Sequence, residues 1–183
     1  MSPRLPSDQA QGFPPIFNAS AHLLILGSMP GIASLRAGQY YAHPRNQFWP
    51  IMAAILGVDL VAQDYPCRRQ ALQDAGIALW DVLQTCHRPG SLDADIAPDS
   101  VVVNNFRDLF SSCPQISRVF FNGAAAELHF KRHVLPDRML PPLQLIRLPS
   151  TSPAHAAMNF NRKLAAWRAI CDIPGNTGKP SAA

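Results

Sequence analysis

The sequence predicts a three-layer α/β/α sandwich built on a central, mainly parallel sheet of about four strands, and three observations predict it. Short, nearly continuous apolar runs recur along the chain, as strands buried on both faces require. Between them lie stretches whose apolar residues have helical spacing. Each apolar run empties into a Gly-, Pro- or Ser-rich turn, where a strand hands over to the next element of an open α/β sheet. With 183 residues the chain is long enough for one domain with a substantial core.

Residues 1–20 are polar, Pro-rich and aperiodic, and are expected to form a loose arm; the single domain is expected over 21–172. Segment 22–28 reads as the first strand. Segment 47–56 fits a helix with Phe48, Ile51, Met52 and Ile55 on one face, Pro50 in its first turn and Gly57 as its stop. A second helix covers 66–75 and ends at Gly76. Segment 77–83 (IALWDVL) is the second strand, 87–97 a loop and 104–112 a short helix. Segment 118–121 (RVFF) is the third strand, closed by Asn122-Gly123. The helix predicted over 124–133 has an alanine-rich face that allows close packing. Segment 143–148 is the fourth strand. Pro149-Ser150-Thr151-Ser152-Pro153 then turns into a last helix over 154–171, with Ser152 as N-cap and Pro153 as first helical residue. The Gly/Pro/Ser-rich tail, 173–183, is expected to be disordered.

The net charge of +4 is compatible with a polyanionic partner but is weak evidence alone. No apolar run is long enough to span a bilayer, and the N-terminus carries no charged-then-apolar leader, so a cytoplasmic protein is expected. Cys67, Cys86, Cys113 and Cys171 lie far apart with no CxxC pair. That spacing does not suit a zinc or iron–sulfur clip, so free thiols, no metal and no cofactor are expected.

The stretch from Leu23 to Trp49 organises the chain. It starts as LLIL, breaks at Gly27-Ser28-Met29-Pro30-Gly31 and ends in YYAHPRNQFW. Tyrosines, histidine, arginine and asparagine packed so closely are costly to bury, and a pocket wall explains them better than core does. GSMPG, WDVLQTCHRPGSLD, FNG and PSTSPAH all follow predicted strands, so the fold would bring them to one sheet edge. Well-made turns also need Gly, Pro and Ser, which is the plainer reading.

These motifs, in this order, resemble the uracil-DNA glycosylase superfamily, and within it the hypoxanthine-DNA glycosylase (DNA-deoxyinosine glycosylase, family 6) branch. The residues that carry the likeness are LILGSMPG, Ser34-Leu35, YYAHPRN with Phe48-Trp49, LWDV, Arg88, GSLD, FNG and LPSTSPA, spanning roughly residues 22–167. The resemblance implies a monofunctional DNA glycosylase. Such an enzyme flips a deaminated base, hypoxanthine first and uracil second, out of the stack and hydrolyses its N-glycosidic bond. Its partner is damaged DNA, it acts as a monomer, and it needs no membrane and no obligate protein partner. Two rivals remain: a lesion-binding protein with weak turnover, and a small-molecule nucleoside hydrolase.

The resemblance makes Asn46 the first catalytic choice, since the slot other branches use in the first motif holds Met29. An amide positions water by hydrogen bonding but is no general base; capping the helix at 47 is the competing reading. Asp81, at the end of the second strand, accepts a base N–H or assists the water, or merely organises its loop or caps a helix. Trp80 is read as core. Gly27, Ser28, Met29, Pro30 and Gly31 form the wall under the base, with Tyr40, Tyr41, His43 and Asn122 completing the pocket. Tyr40 and Tyr41 stack on or enclose the base, and His43 donates to a base carbonyl or a phosphate, or only braces its loop. Ser150, Thr151 and Ser152 offer hydroxyls and a helix N-terminus to a DNA phosphate, joined by His155 and Arg45. His155 departs from the asparagine the family pattern leads one to expect there. Met158 and Phe160 either wedge into the vacated stack or pack on the helix face. Arg36, Arg88, Lys131 and Arg132 are further phosphate candidates. No lysine is expected near the motifs, with Lys131 and Lys163 lying elsewhere, which excludes a Schiff base.

Overall fold

The computed structural model of the chain describes residues 8–172. Strands β2 (Leu23–Gly27), β3 (Ile77–Asp81), β6 (Arg118–Asn122) and β7 (Gln144–Leu148) form one sheet in the order β3-β2-β6-β7, all parallel. β2 and β3 are buried at every position. The remaining strands, β1 (Gln9–Gln11), β4 (Leu83–His87) and β5 (Val102–Val103), make a small antiparallel sheet in the order β1-β4-β5. The predicted second strand therefore ends at Asp81. The chain turns at Val82, whose N–H donates to the Gly27 carbonyl, and continues as β4 in the other sheet.

From β2 the chain crosses to β3 through α1 (Ile32–Ala37), α2 (Phe48–Leu56) and α3 (Tyr65–Asp74). It crosses from β6 to β7, on the other side of β2, through α5 (Ala124–His129). Crossovers between parallel strands are right-handed almost without exception, so two that run in opposite directions put their helices on opposite faces, which gives the three layers. α4 (Phe106–Ser112) is capped by the Asn105 side chain on Asp108 N. α6 (Phe160–Trp167) packs against α2, with Phe48 and Trp167 edge to face at 5.8 Å. α5 runs on as a π-helical turn, Phe130–Val134, that buries Phe130 against Phe106 and Phe121.

Two expectations are corrected. The arm is not loose from residue 8 onward: β1 pairs with β4, and Ile16 and Leu79 exchange both backbone hydrogen bonds at 2.8 Å. Phe13 also gives its carbonyl to the Trp80 indole, so Ile16 and Ala21 are buried with the core. The last helix starts at Phe160 rather than 154. Asn159 caps it by accepting from Arg162 N, whereas Ser152 Oγ accepts only from Ala154 N in a local turn. Asx capping followed by NRKLAAW outcompetes the Ser-Pro start. The expected tail, 173–183, lies outside the described residues, as do residues 1–7 of the arm.

Candidate active site

The strand order reverses between β2 and β6, the place where doubly wound sheets hold their ligands. A cavity of about 150 Å³ opens there, at the carboxyl ends of β2, β3 and β6. Gly27 to Gly31, Tyr40, Tyr41, His43, Asn46, Asp81 and Asn122 all line it, with Ser150, Thr151 and Ser152. Arg45 and His155 do not; both are exposed outside it.

The floor is made of side chains with unmet hydrogen bonds. Asp81 ends β3 opposite Gly27 in register, and its carboxyl is buried with Oδ2 unpartnered. Burial pushes this carboxyl up to about 8; the nearby Asp93 adds to the rise and the Arg88 guanidinium opposes it. At neutral pH it is therefore mostly a neutral acid that can donate a hydrogen bond. Tyr41 presents a second buried hydroxyl without a partner. Its backbone holds φ 55, the left-handed region that a bulky residue rarely adopts, and its ring stacks on Phe48 at 4.1 Å. Burial, with the Asp81 charge second, drives that hydroxyl far above the ordinary tyrosine range. Gly27 makes the convergence possible: a Cβ there would come within 2.3 Å of Asp81 Oδ1 and 3.0 Å of the Tyr41 hydroxyl.

The opposite wall is closed on itself. Asn122 Nδ2 donates to Thr151 Oγ1 and its Oδ1 accepts from Thr151 N, both at 2.9 Å. Thr151 is fully buried, and its carbonyl accepts from Gln47 N at 3.0 Å, tying PSTSP to the HPRN loop. Trp167 in α6 donates its indole N–H to the Pro149 carbonyl. With no helix beginning at Ser152, the dipole argument for a phosphate at Ser150–Ser152 falls away. Ser150, Ser152 and Pro153 remain as partly exposed lining.

Asn46 stands between these walls. Its Oδ1 accepts from Phe48 N at 2.9 Å, which satisfies the start of α2, and its Nδ2 is left for the cavity. Capping and pocket lining thus coexist in one side chain. Tyr40 is different: its hydroxyl is taken by the Phe13 and Pro14 carbonyls and it is buried, so it supports rather than contacts. Trp49 and Trp80 are core, each with its indole N–H on a backbone carbonyl. His43 Nδ1 accepts from Arg45 N, leaving Nε2 free.

Other residues sit where the sequence did not place them. Arg88 is no surface cation: it is buried, with Nη2 on the Pro30 carbonyl and with Nε and Nη1 unpartnered. It fixes the GSMPG loop from behind. Lys163 lies close to the PSTSPAH loop, buried, with Nζ on the His155 carbonyl. Phe160 packs on the core and Met158 is half-buried. Ile32, Ala33, Ser34, Ser91 and Asp93 also line the cavity; Ser34 and GSLD carry the family likeness without an assigned role, and Ile32 and Ala33 carry no signal in the sequence. Ser91 and Asp93 belong to the WDVLQTCHRPGSLD stretch expected at this sheet edge, but nothing in the sequence singles out either side chain. Among the described residues no group of three or more His, Cys, Asp or Glu is placed to hold a metal ion, and no helix is long and apolar enough to cross a membrane.

The chain also resembles known proteins over most of its described length. The profile of the uracil DNA glycosylase superfamily matches residues 14–171. The chain is 42% identical over 113 residues to a hypoxanthine DNA glycosylase of Methanosarcina barkeri (strain Fusaro / DSM 804), covering 62% of this chain and 70% of that one. It is 34% identical over 116 residues to a hypoxanthine DNA glycosylase of Methanosarcina acetivorans, covering 63% and 72%. A solution NMR structure of a candidate uracil DNA glycosylase from Methanosarcina acetivorans superposes with a TM-score of 0.73 at 29% identity, over 90% of this chain and 99% of that one.

Proposed function

The chain belongs to the uracil DNA glycosylase superfamily, on its hypoxanthine-DNA glycosylase branch, and from that premise we propose that it is a monofunctional DNA glycosylase which releases hypoxanthine. The product is an abasic site for base excision repair; uracil is the second substrate. The observation that carries the reading is the meeting of Asn46, Asp81 and the Gly27–Gly31 backbone in one small cavity at the sheet's switch point. A flipped base enters this cavity against the GSMPG wall, where the loop's backbone can approach its edge. Neutral Asp81 donates a hydrogen bond to the base and stabilises it as it leaves. The Asn46 amide orients a water toward C1′. The oxocarbenium-like sugar needs little nucleophilic push, so position and electrostatics do most of the chemistry.

The two lysines among the described residues support a monofunctional route. Lys131 is paired with Glu127 on the surface, and Lys163 is engaged with a carbonyl outside the cavity lining. The enzyme acts as a monomer on damaged DNA in the cytoplasm, with the chromosome.

The test is base release from matched duplexes carrying one deoxyinosine or one deoxyuridine, with wild type and Asn46→Ala side by side. Hypoxanthine release that falls by about 10²–10³-fold in the mutant, the usual loss for one positioned hydrogen-bonding group, is the expected result. Release of uracil alone rejects the substrate, and full activity in Asn46→Ala rejects the residue. Tight lesion binding with no release by wild type replaces the enzyme with a lesion reader.

A further inference from the structure

We propose that Asp93 is a second catalytic carboxylate, carried into the cavity by the loop after β4 and acting on the water that Asn46 orients. The proposal rests on the glycosylase reading above and names what that reading lacks. Neither Asn46, an amide, nor Met29, a thioether, can take a proton from water. Asp81 is buried as a neutral acid. Tyr40 is bound to carbonyls and the Tyr41 phenol is far too weak an acid to be an anion. His43 lines the cavity but carries no negative charge, and a positive sugar needs a negative neighbour.

Asp93 meets these requirements by geometry. It lines the same cavity as Asn46 and Asp81. Ser28 Oγ donates to its Oδ1 at 2.6 Å, which clamps the carboxylate to the loop that follows β2. Its own loop is held on both sides. Ser91 Oγ accepts from Ile32 N at 2.9 Å, and a 3-10 turn over Asp93–Asp95 closes with Ile96 N on the Asp93 carbonyl. Ile96 is buried behind that turn. The residue itself is exposed, and among the described residues no Lys or Arg pairs with it, so Oδ2 is left for solvent or substrate. The cavity thus holds one carboxyl kept neutral by burial and one kept open to water, the division of labour that glycoside hydrolysis needs.

The step balances as follows. The C1′–N bond breaks and its electron pair leaves with the base. The oxygen of water bonds to C1′, and the water proton passes to Asp93. The base takes the Asp81 proton, and solvent resets both carboxyls.

The experiment is single-turnover release from a duplex containing the lesion that wild type cleaves, using Asp93→Asn, Ser28→Ala and Asp93→Gly. Asp93→Asn keeps the acceptor for Ser28. It is expected to lower the rate by about 10²–10⁴-fold, the range for a lost general base, while lesion-duplex affinity moves by less than about threefold. Ser28→Ala, which loosens the carboxylate without removing it, falls by about tenfold. Added formate restores part of the Asp93→Gly rate, which a merely structural loss does not allow. Asp93→Asn activity within threefold of wild type, or a loss that only follows DNA affinity, overturns the proposal. Absence of release by wild type overturns the glycosylase reading instead.

Discussion

Two sides of one cavity follow opposite rules. The Asn122–Thr151 wall satisfies itself: each residue gives the other a donor and an acceptor, and Thr151 is sealed from solvent. The floor leaves Asp81 Oδ2 and the Tyr41 hydroxyl buried and unpaired. Buried polar groups without partners are rare because each costs about 1–3 kcal/mol. Of the buried unpartnered groups among the described residues, these two line the cavity, around a glycine that leaves them room, and are kept for something that arrives. The wall is scaffolding whose polar atoms are used up; the floor is chemistry whose polar atoms are held in reserve.

This contrast breaks most visibly at Asn122. Asn122→Ala strands the Thr151 N–H and hydroxyl in a dry site, and a loss of about 3 kcal/mol is expected. That amounts to a melting temperature lowered by roughly 10 °C by calorimetry, with base release falling in step. An unchanged melt removes the wall from the scaffold. Gly27→Ala comes next. The new methyl collides with both floor groups, for about 1–3 kcal/mol of strain. Activity should fall further than stability does, because the pair it displaces faces the base.

Asp81→Asn sharpens the contrast through pH. The folded carboxyl titrates near 8, and the free group near its ordinary 3.8. Between these values the native state holds a proton that the unfolded chain has lost, so this group's contribution to stability falls as pH rises from about 4 to about 8 and then stays flat. Denaturant unfolding of wild type should show that fall, at most about 1.4 kcal/mol per pH unit. The difference between wild type and Asp81→Asn isolates it, and parallel pH profiles for the two proteins count against a buried neutral Asp81. Tyr41→Phe should cost no stability: it removes a buried hydroxyl with no partner, so the melt should hold level or rise, by at most about 1–3 kcal/mol. Base release should nonetheless slow about tenfold, a split between folding and chemistry that no wall residue should give.

Much of this was legible in the chain because its signals are local. The LLIL, IALWD, RVFF and LQLIRL runs became the parallel sheet, and the α2 helix began and stopped where Pro50 and Gly57 put it. The sequence motifs gathered at the switch point because each follows a strand. What failed was non-local or competitive. Nothing in QAQ announces a strand; its partner is β4, and pairing rather than propensity orders it. Ser152-Pro153 is a good helix start, yet Asn159 was the better one. Arg88 reads as a surface charge because burial of an arginine depends on a loop folding over it. Asp93 was hidden for a similar reason. GSLD follows a predicted strand to the sheet edge, but only the Ser28 bond across 65 positions singles out Asp93 within it.

The ordered arm also fixes a schedule. The Phe13 carbonyl receives the Tyr40 hydroxyl and the Trp80 indole, side chains whose neighbours Tyr41 and Asp81 form the cavity floor. Trp80 lies 67 residues downstream of Phe13. At about 5–20 residues per second, roughly 3–13 s separate the emergence of the arm from that of its partner. Throughout that interval the nascent chain carries apolar β2 without its flanking strands, and the floor cannot close. The arm leaves the ribosome before the partners that fix it, so a chaperone that holds it during synthesis also holds back the assembly of the site.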